Sequence, residues 1–95
     1  MTVAERIRQK LTDGLAPAAL DIVDDSHRHV GHAGHDGRGE SHFRVRVVAA
    51  AFEGRSRVDR QRLVYGLLAE EMRDRVHALA LTTLTPDEAE AAAAG

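Results

Sequence analysis

Six histidines fall in 95 residues, and four of them, His27, His29, His32 and His35, lie within nine residues of a glycine-rich stretch that also carries Asp24, Asp25 and Asp36. A neutral imidazole nitrogen is a borderline ligand for zinc, copper, nickel and iron, so this cluster is a candidate metal site. It lacks the regular Cys/His spacing of a zinc module, and the same composition suits a solvated polar loop in which the glycines give slack. His77 stands apart from the cluster, directly before the apolar run Ala78-Leu79-Ala80-Leu81. That position puts its ring at the end of a strand, where it can share one metal ion with a loop imidazole if the fold brings the two regions together. Taken alone, a histidine in such a place is more often structural than a ligand. His42 begins a strand and reads as a surface residue.

A second constellation is basic. Arg55, Arg57, Arg60 and Arg62 place four guanidinium groups within eight residues, at a helix start that follows Gly54. Such a patch can bind phosphates, with the amide donors of a helix N-terminus adding to it. A solvated face, or one that docks an acidic protein, needs the same residues. Base-stacking side chains are scarce, since Phe43, Phe52 and Tyr65 are the whole aromatic set. Serine occurs only as Ser26, Ser41 and Ser56, in unrelated settings, and no nucleophile, base and orienting group come together. The chain therefore reads as a binding protein rather than an enzyme.

The elements that must position these residues follow from periodicity and capping signals. Thr2-Val3-Ala4-Glu5 has the pattern of a capping box and opens a helix whose apolar stripe is Val3, Ile7 and Leu11, widened by Ala4 and Leu15. Gly14 offers the left-handed residue that closes such a helix, and Pro17 blocks its continuation. Leu20 to Asp24 is a short strand. From Asp25 to Ser41 apolar residues nearly vanish, giving a loop of about 17 residues, longer than compact domains usually tolerate without a functional reason. His42 to Val47 alternates polar and apolar, the pattern of a half-buried strand with Phe43, Val45 and Val47 inward. Ser56 caps a helical region that runs to about Asp74, with Val64, Leu67, Leu68 and Met72 as its buried stripe and Gly66 marking close packing or a break into two helices. Val76 to Thr82 is a third strand, and Thr85-Pro86 starts a last short helix.

The expected class is therefore α/β, in the order αββααβ(α). The first two strands pair antiparallel around the long loop, whereas the helical crossover favours a parallel partner for the third. The result is a three-stranded mixed sheet with helices packed on one face.

Composition bounds the rest. The length suits one domain over residues 1–95, with a core over about 3–88, a His/Gly-rich loop at 25–41 and an Ala-rich tail at 89–95. With 43% hydrophobic residues such a chain folds without staples, and with no cysteine it has no disulfide, thiolate ligand or thiol nucleophile of its own. A formal net charge of −2 argues against a dedicated nucleic-acid binder, so any such contact must come from a local patch. No apolar run approaches a membrane span, and the polar start lacks the apolar core of a signal peptide, so the expected location is cytoplasmic.

Five segments taken jointly resemble the BolA family: Asp24-Asp25-Ser26-His27-Arg28-His29, Gly39-Glu40-Ser41-His42-Phe43-Arg44-Val45, Phe52-Glu53-Gly54-Arg55-Ser56, Arg60-Gln61-Arg62-Leu63-Val64-Tyr65 and Val76-His77-Ala78-Leu79-Ala80-Leu81. The resemblance covers about residues 3 to 88 and implies a class II KH-like fold. It also implies a partner of monothiol glutaredoxins, in whose complex a 2Fe-2S cluster is bridged with glutathione supplying one thiolate. His77 corresponds to the family's histidine ligand. The second ligand comes from the loop between the first two strands, where His29 fits the family position best, His32 competes closely, and His27 and His35 fit less well. The resemblance implies no cofactor in the isolated chain, which is expected as a monomer or weak dimer. Family members are also described as transcriptional regulators, through the helix-turn-helix-like segment from Gly54 to Tyr65. The usual Arg-His-Arg there is Arg60-Gln61-Arg62 in this chain. A third reading, a zinc or nickel buffer, needs only the histidine loop.

Overall fold

The computed structural model describes residues 2–25 and 42–94. The chain runs α1 (Val3–Leu15), β1 (Ala19–Asp24), β2 (His42–Val48), a single 3₁₀ turn (Ala50–Phe52), α2 (Arg57–Leu67), α3 (Ala69–Asp74), β3 (Ala78–Leu84) and α4 (Pro86–Ala94). This is the expected α/β order, and it is compatible with the KH-like arrangement that the resemblance implies.

The capping chemistry sets the helix starts. At α1 the Thr2 hydroxyl accepts from the Glu5 amide at 3.0 Å, and the Glu5 carboxylate accepts from the Thr2 amide at 2.9 Å. Ser56 accepts from the Asp59 amide at 3.1 Å to open α2. At α4 the same reciprocal pair recurs between Thr85 and Glu88. Each pair satisfies amides that the first helical turn leaves without partners.

The end of α1 differs from expectation. The helix continues through Gly14, and Ala16 takes the left-handed conformation, with φ 44° and ψ 57°, its amide donating to the Thr12 carbonyl. Continuing past Gly14 buries Leu15 in the core, which stopping there would forgo. Gly14 serves close approach instead: a Cβ there would lie 2.8 Å from both methyl carbons of Leu67 on α2. The long helical region is split at Leu68, one of the two outcomes that Gly66 signals, and both halves keep apolar side chains on the core.

The sheet order is β1-β2-β3, with β1 and β2 antiparallel and β2 and β3 parallel. Phe43, Val45 and Val47 of the central strand point into a core built from Val3, Ile7, Leu11 and Leu15 of α1, Val64 of α2 and Leu68 at the junction of α2 and α3. Leu20, Ile22, Leu79 and Leu81 flank it. The period of two leaves Asp21, Val23, Arg44, Ala80 and Thr82 on the opposite face. Side chains there are mostly exposed, so the helices cover one face only.

α1 and α3 are joined by a buried charge cluster that no local pattern announces. The Glu71 side chain has no exposed surface, yet it holds Arg6 Nη2 at 2.9 Å and Lys10 Nζ at 2.9 Å. Burial alone would raise the Glu71 pKa, but the hydrogen bond from Lys10 and the charges of Lys10 and Arg6 outweigh it and hold the carboxyl below its ordinary value. The chain's single lysine is thus committed to this cluster.

Candidate functional site

The mixed topology gathers three chain ends at one rim of the sheet. β1 ends at Asp24, and β2 and β3, being parallel, begin side by side, with His42 opposite Ala78 in register. The Asp25 amide donates to the His42 carbonyl at 2.7 Å, which closes the β1–β2 ladder at this rim. His77 lies just before β3 and is exposed at the same rim. The strand therefore begins later than the sequence pattern suggests, and His77 does not extend the inward row of Leu79 and Leu81. The chain bends there, so the ring stands at the sheet's end rather than over its face.

The ring of His42 is its neighbour. The two centroids are 6.2 Å apart and the planes are inclined by 74°, an edge-to-face arrangement. His42 is half-buried rather than a plain surface residue. No local signal points to this pairing, because it depends on the register between two strands that are distant in sequence. Asp25, His42, Arg44 and Ala78 line an open cleft at this edge, in which Arg44 Nε binds an Asp25 carboxylate oxygen at 2.6 Å. Among the described residues no group of three or more His, Asp or Glu side chains converges to hold a metal ion. The rim thus offers two imidazoles, and an iron or zinc centre completed there needs ligands from elsewhere.

His29 and His32, together with His27 and His35, lie outside the described residues. What the described residues do fix is the two points between which that segment runs, Asp25 and His42, and both are at the rim that carries His77.

The basic segment is divided by the fold. Arg55, Arg57 and Arg62 are exposed around the start of α2, with Arg55 Nε donating to the Ala51 carbonyl and Arg62 3.8 Å from Asp59. Arg60 corrects the expectation of a phosphate ligand. It is buried, with 7% of its surface accessible, because its place on α2 faces β3 and α4. Its guanidinium donates to both oxygens of Glu88 and to the carbonyls of Arg55 and Thr83, and it lies over the Phe52 ring at 6.0 Å. Binding a phosphate would require breaking that set.

Comparison with known proteins gives a consistent match. The model of the family described as BolA-like protein matches residues 11–88. The DNA-binding transcriptional regulator BolA of Escherichia coli is 44% identical over 88 residues, covering 93% of this chain and 80% of that one. The chloroplastic protein BOLA1 of Arabidopsis thaliana is 48% identical over 87 residues, which is 90% of this chain and 54% of that protein. The solved structure of Arabidopsis BolA1 superposes with a TM-score of 0.80, covering 90% of this chain and 93% of that one. The BolA domain of Arabidopsis SufE1 superposes at 0.79 with 44% identity, covering 90% of this chain and 93% of that one. The chain spans about half the length of BOLA1, so it compares with a part of that protein.

Proposed function

Because the chain belongs to the BolA family, we propose that it is an adaptor without turnover of its own, which binds a monothiol glutaredoxin and shares a bridging 2Fe-2S cluster with it through histidine ligands. Its place is in iron-sulfur cluster assembly, trafficking or iron sensing. The observation that supports this reading is the exposure of His77 at the rim where the histidine-bearing segment leaves and rejoins the sheet. His29 follows Asp25 by four residues in sequence and is the loop histidine that best matches the family's ligand position. His32 is the alternative second ligand. An imidazole that replaces a thiolate on one iron removes negative charge and raises the cluster potential, so an adaptor of this kind changes both the stability and the redox behaviour of its cargo.

The test is to reconstitute the cluster on a monothiol glutaredoxin with glutathione, add this chain, and record visible absorption and circular dichroism. Wild type shifts the cluster bands; His77→Ala does not; of His29→Ala and His32→Ala, one abolishes the shift. Bands that respond to His77→Ala as to wild type overturn the reading.

A second reading, a DNA-binding transcriptional regulator, is favoured by the description of the E. coli relative and by the exposure of Arg55, Arg57 and Arg62. It requires duplex affinity that falls steeply with salt. Affinity indifferent to salt excludes it.

A further inference from the structure

β3 is an outer strand, and the directions of its backbone groups can be worked out. The Leu84 carbonyl accepts from the Ala49 amide at 2.9 Å, so Leu84 turns its backbone groups toward β2. Those directions alternate along a strand, so Thr82, Ala80 and Ala78 face β2 as well. Leu79, Leu81 and Thr83 point their amides and carbonyls the other way, in keeping with the Thr83 carbonyl accepting from Arg60 Nη1 at 3.3 Å. Thr83 is buried, and that contact occupies its outer side. The outward groups of Leu79 and Leu81 have no hydrogen-bond partner among the described residues. Open edges of this kind are templates for another strand, and proteins commonly blunt them with charge, proline or bulges. The other outer strand, β1, carries Asp21 and Asp24. β3 has no charge, proline or glycine, and its register with β2 is unbroken. Beside this edge, Arg57 and Gln61 of α2 line a cleft together with Leu81 to Leu84. Arg57 is exposed and holds no ion pair among the described residues; the nearby Glu88 carboxylate is bound by Arg60. A second copy of β3 would bring no carboxylate to Arg57, because that strand has none.

We infer that the free edge of β3 takes an extended, acidic peptide segment of a partner protein as a fourth strand, with a carboxylate of that segment paired to Arg57. Backbone bonds to Leu79 and Leu81 supply the affinity, and alternate side chains of the added strand supply the specificity. Those on the helix side meet Arg57 and Gln61, and those on the other side continue the open face beside the exposed Ala80 and Thr82. The site uses neither a cluster nor a histidine, so it goes beyond the adaptor role proposed above.

The experiment titrates the full, isotope-labelled chain with an acetylated and amidated peptide of about eight residues, long enough to pass the edge, in which glutamate alternates with valine. Binding is read from the amide spectrum and from hydrogen exchange. The Leu79 and Leu81 amides are expected to shift and to exchange more slowly with peptide bound. Methylating alternate peptide nitrogens, which removes the donors to β3, and Arg57→Glu are each expected to weaken binding about tenfold or more. A peptide with lysine in place of glutamate should prefer the Arg57→Glu chain. No binding, binding that survives methylation, or shifts that avoid β3 overturn the inference. So does a chain that is dimeric and takes no peptide, which assigns the edge to a second copy. The mixture contains no glutaredoxin and no iron, so its outcome is independent of cluster sharing.

Discussion

Arg60 donates to both carboxylate oxygens of Glu88, at 2.6 and 3.2 Å, and thereby fastens the start of α4 to α2. Glu88 at the same time accepts from the Thr85 amide, so one carboxylate caps its own helix and anchors it.

This carboxylate gives the fold an acid-sensitive point. The hydrogen bond from Arg60, followed by that from the Thr85 amide, holds the Glu88 pKa at about 2, below the ordinary 4.5. The folded value is depressed, so the contribution is complete above about pH 4.5 and is lost as pH falls toward 2. Thermal unfolding followed from pH 6 to pH 2 is expected to show wild type losing Tm more steeply than Glu88→Gln, with the two curves converging in acid. Parallel curves would contradict it.

Glu71 predicts an asymmetry. Replacing Arg6 and Lys10 together by Met leaves a carboxylate with no exposed surface unpaired, at a cost of about 3–5 kcal/mol. Glu71→Gln leaves two cations that are about one-third exposed and can turn to water, so the expected cost is smaller, on the order of 1–2 kcal/mol. Urea unfolding of the two variants measures both, and equal costs would show that the cluster is not governed by the buried charge.

Gly14 and Leu67 should be coupled. Ala is better than Gly inside a helix by about 1 kcal/mol, but here its Cβ must displace the Leu67 methyl groups. Gly14→Ala is therefore expected to be close to neutral in wild type and to stabilise by about 1 kcal/mol when Leu67 is Ala. A double-mutant cycle with no coupling removes the close approach of Leu67 as the reason for glycine.

The basic segment should separate into two behaviours. If the chain binds duplex DNA, Arg57→Ala and Arg62→Ala each reduce the slope of log affinity against log salt by about 0.9 for every phosphate no longer neutralised. Arg60→Ala instead lowers Tm and leaves that slope unchanged, because its guanidinium is turned inward. A slope that changes with Arg60 and not with the other two would reverse this assignment.

Much of the fold is legible locally. Thr2 with Glu5, Ser56 with Asp59 and Thr85 ahead of Pro86 mark helix starts by the chemistry of the first turn, and the alternation of Phe43, Val45 and Val47 marks the inward face of β2. The features that escape a local reading depend on partners remote in sequence. Arg60 reads as solvated until Glu88 is placed beside it. Nothing near Glu71 in sequence marks it as buried, because its partners Arg6 and Lys10 come from α1. His42 reads as a surface residue because nothing near it in sequence encodes the register that brings His77 alongside. The end of α1 departs from its signal for a related reason: Gly14 offers a stop, but the burial of Leu15 outweighs the strain of a left-handed Ala16.

The parallel pairing of β2 with β3 has a bearing on binding as well as shape. With His42 opposite Ala78 in that ladder, the main chain beside the two rings is ordered before anything binds, so a ligand meeting this rim would not have to offset the entropy of ordering it.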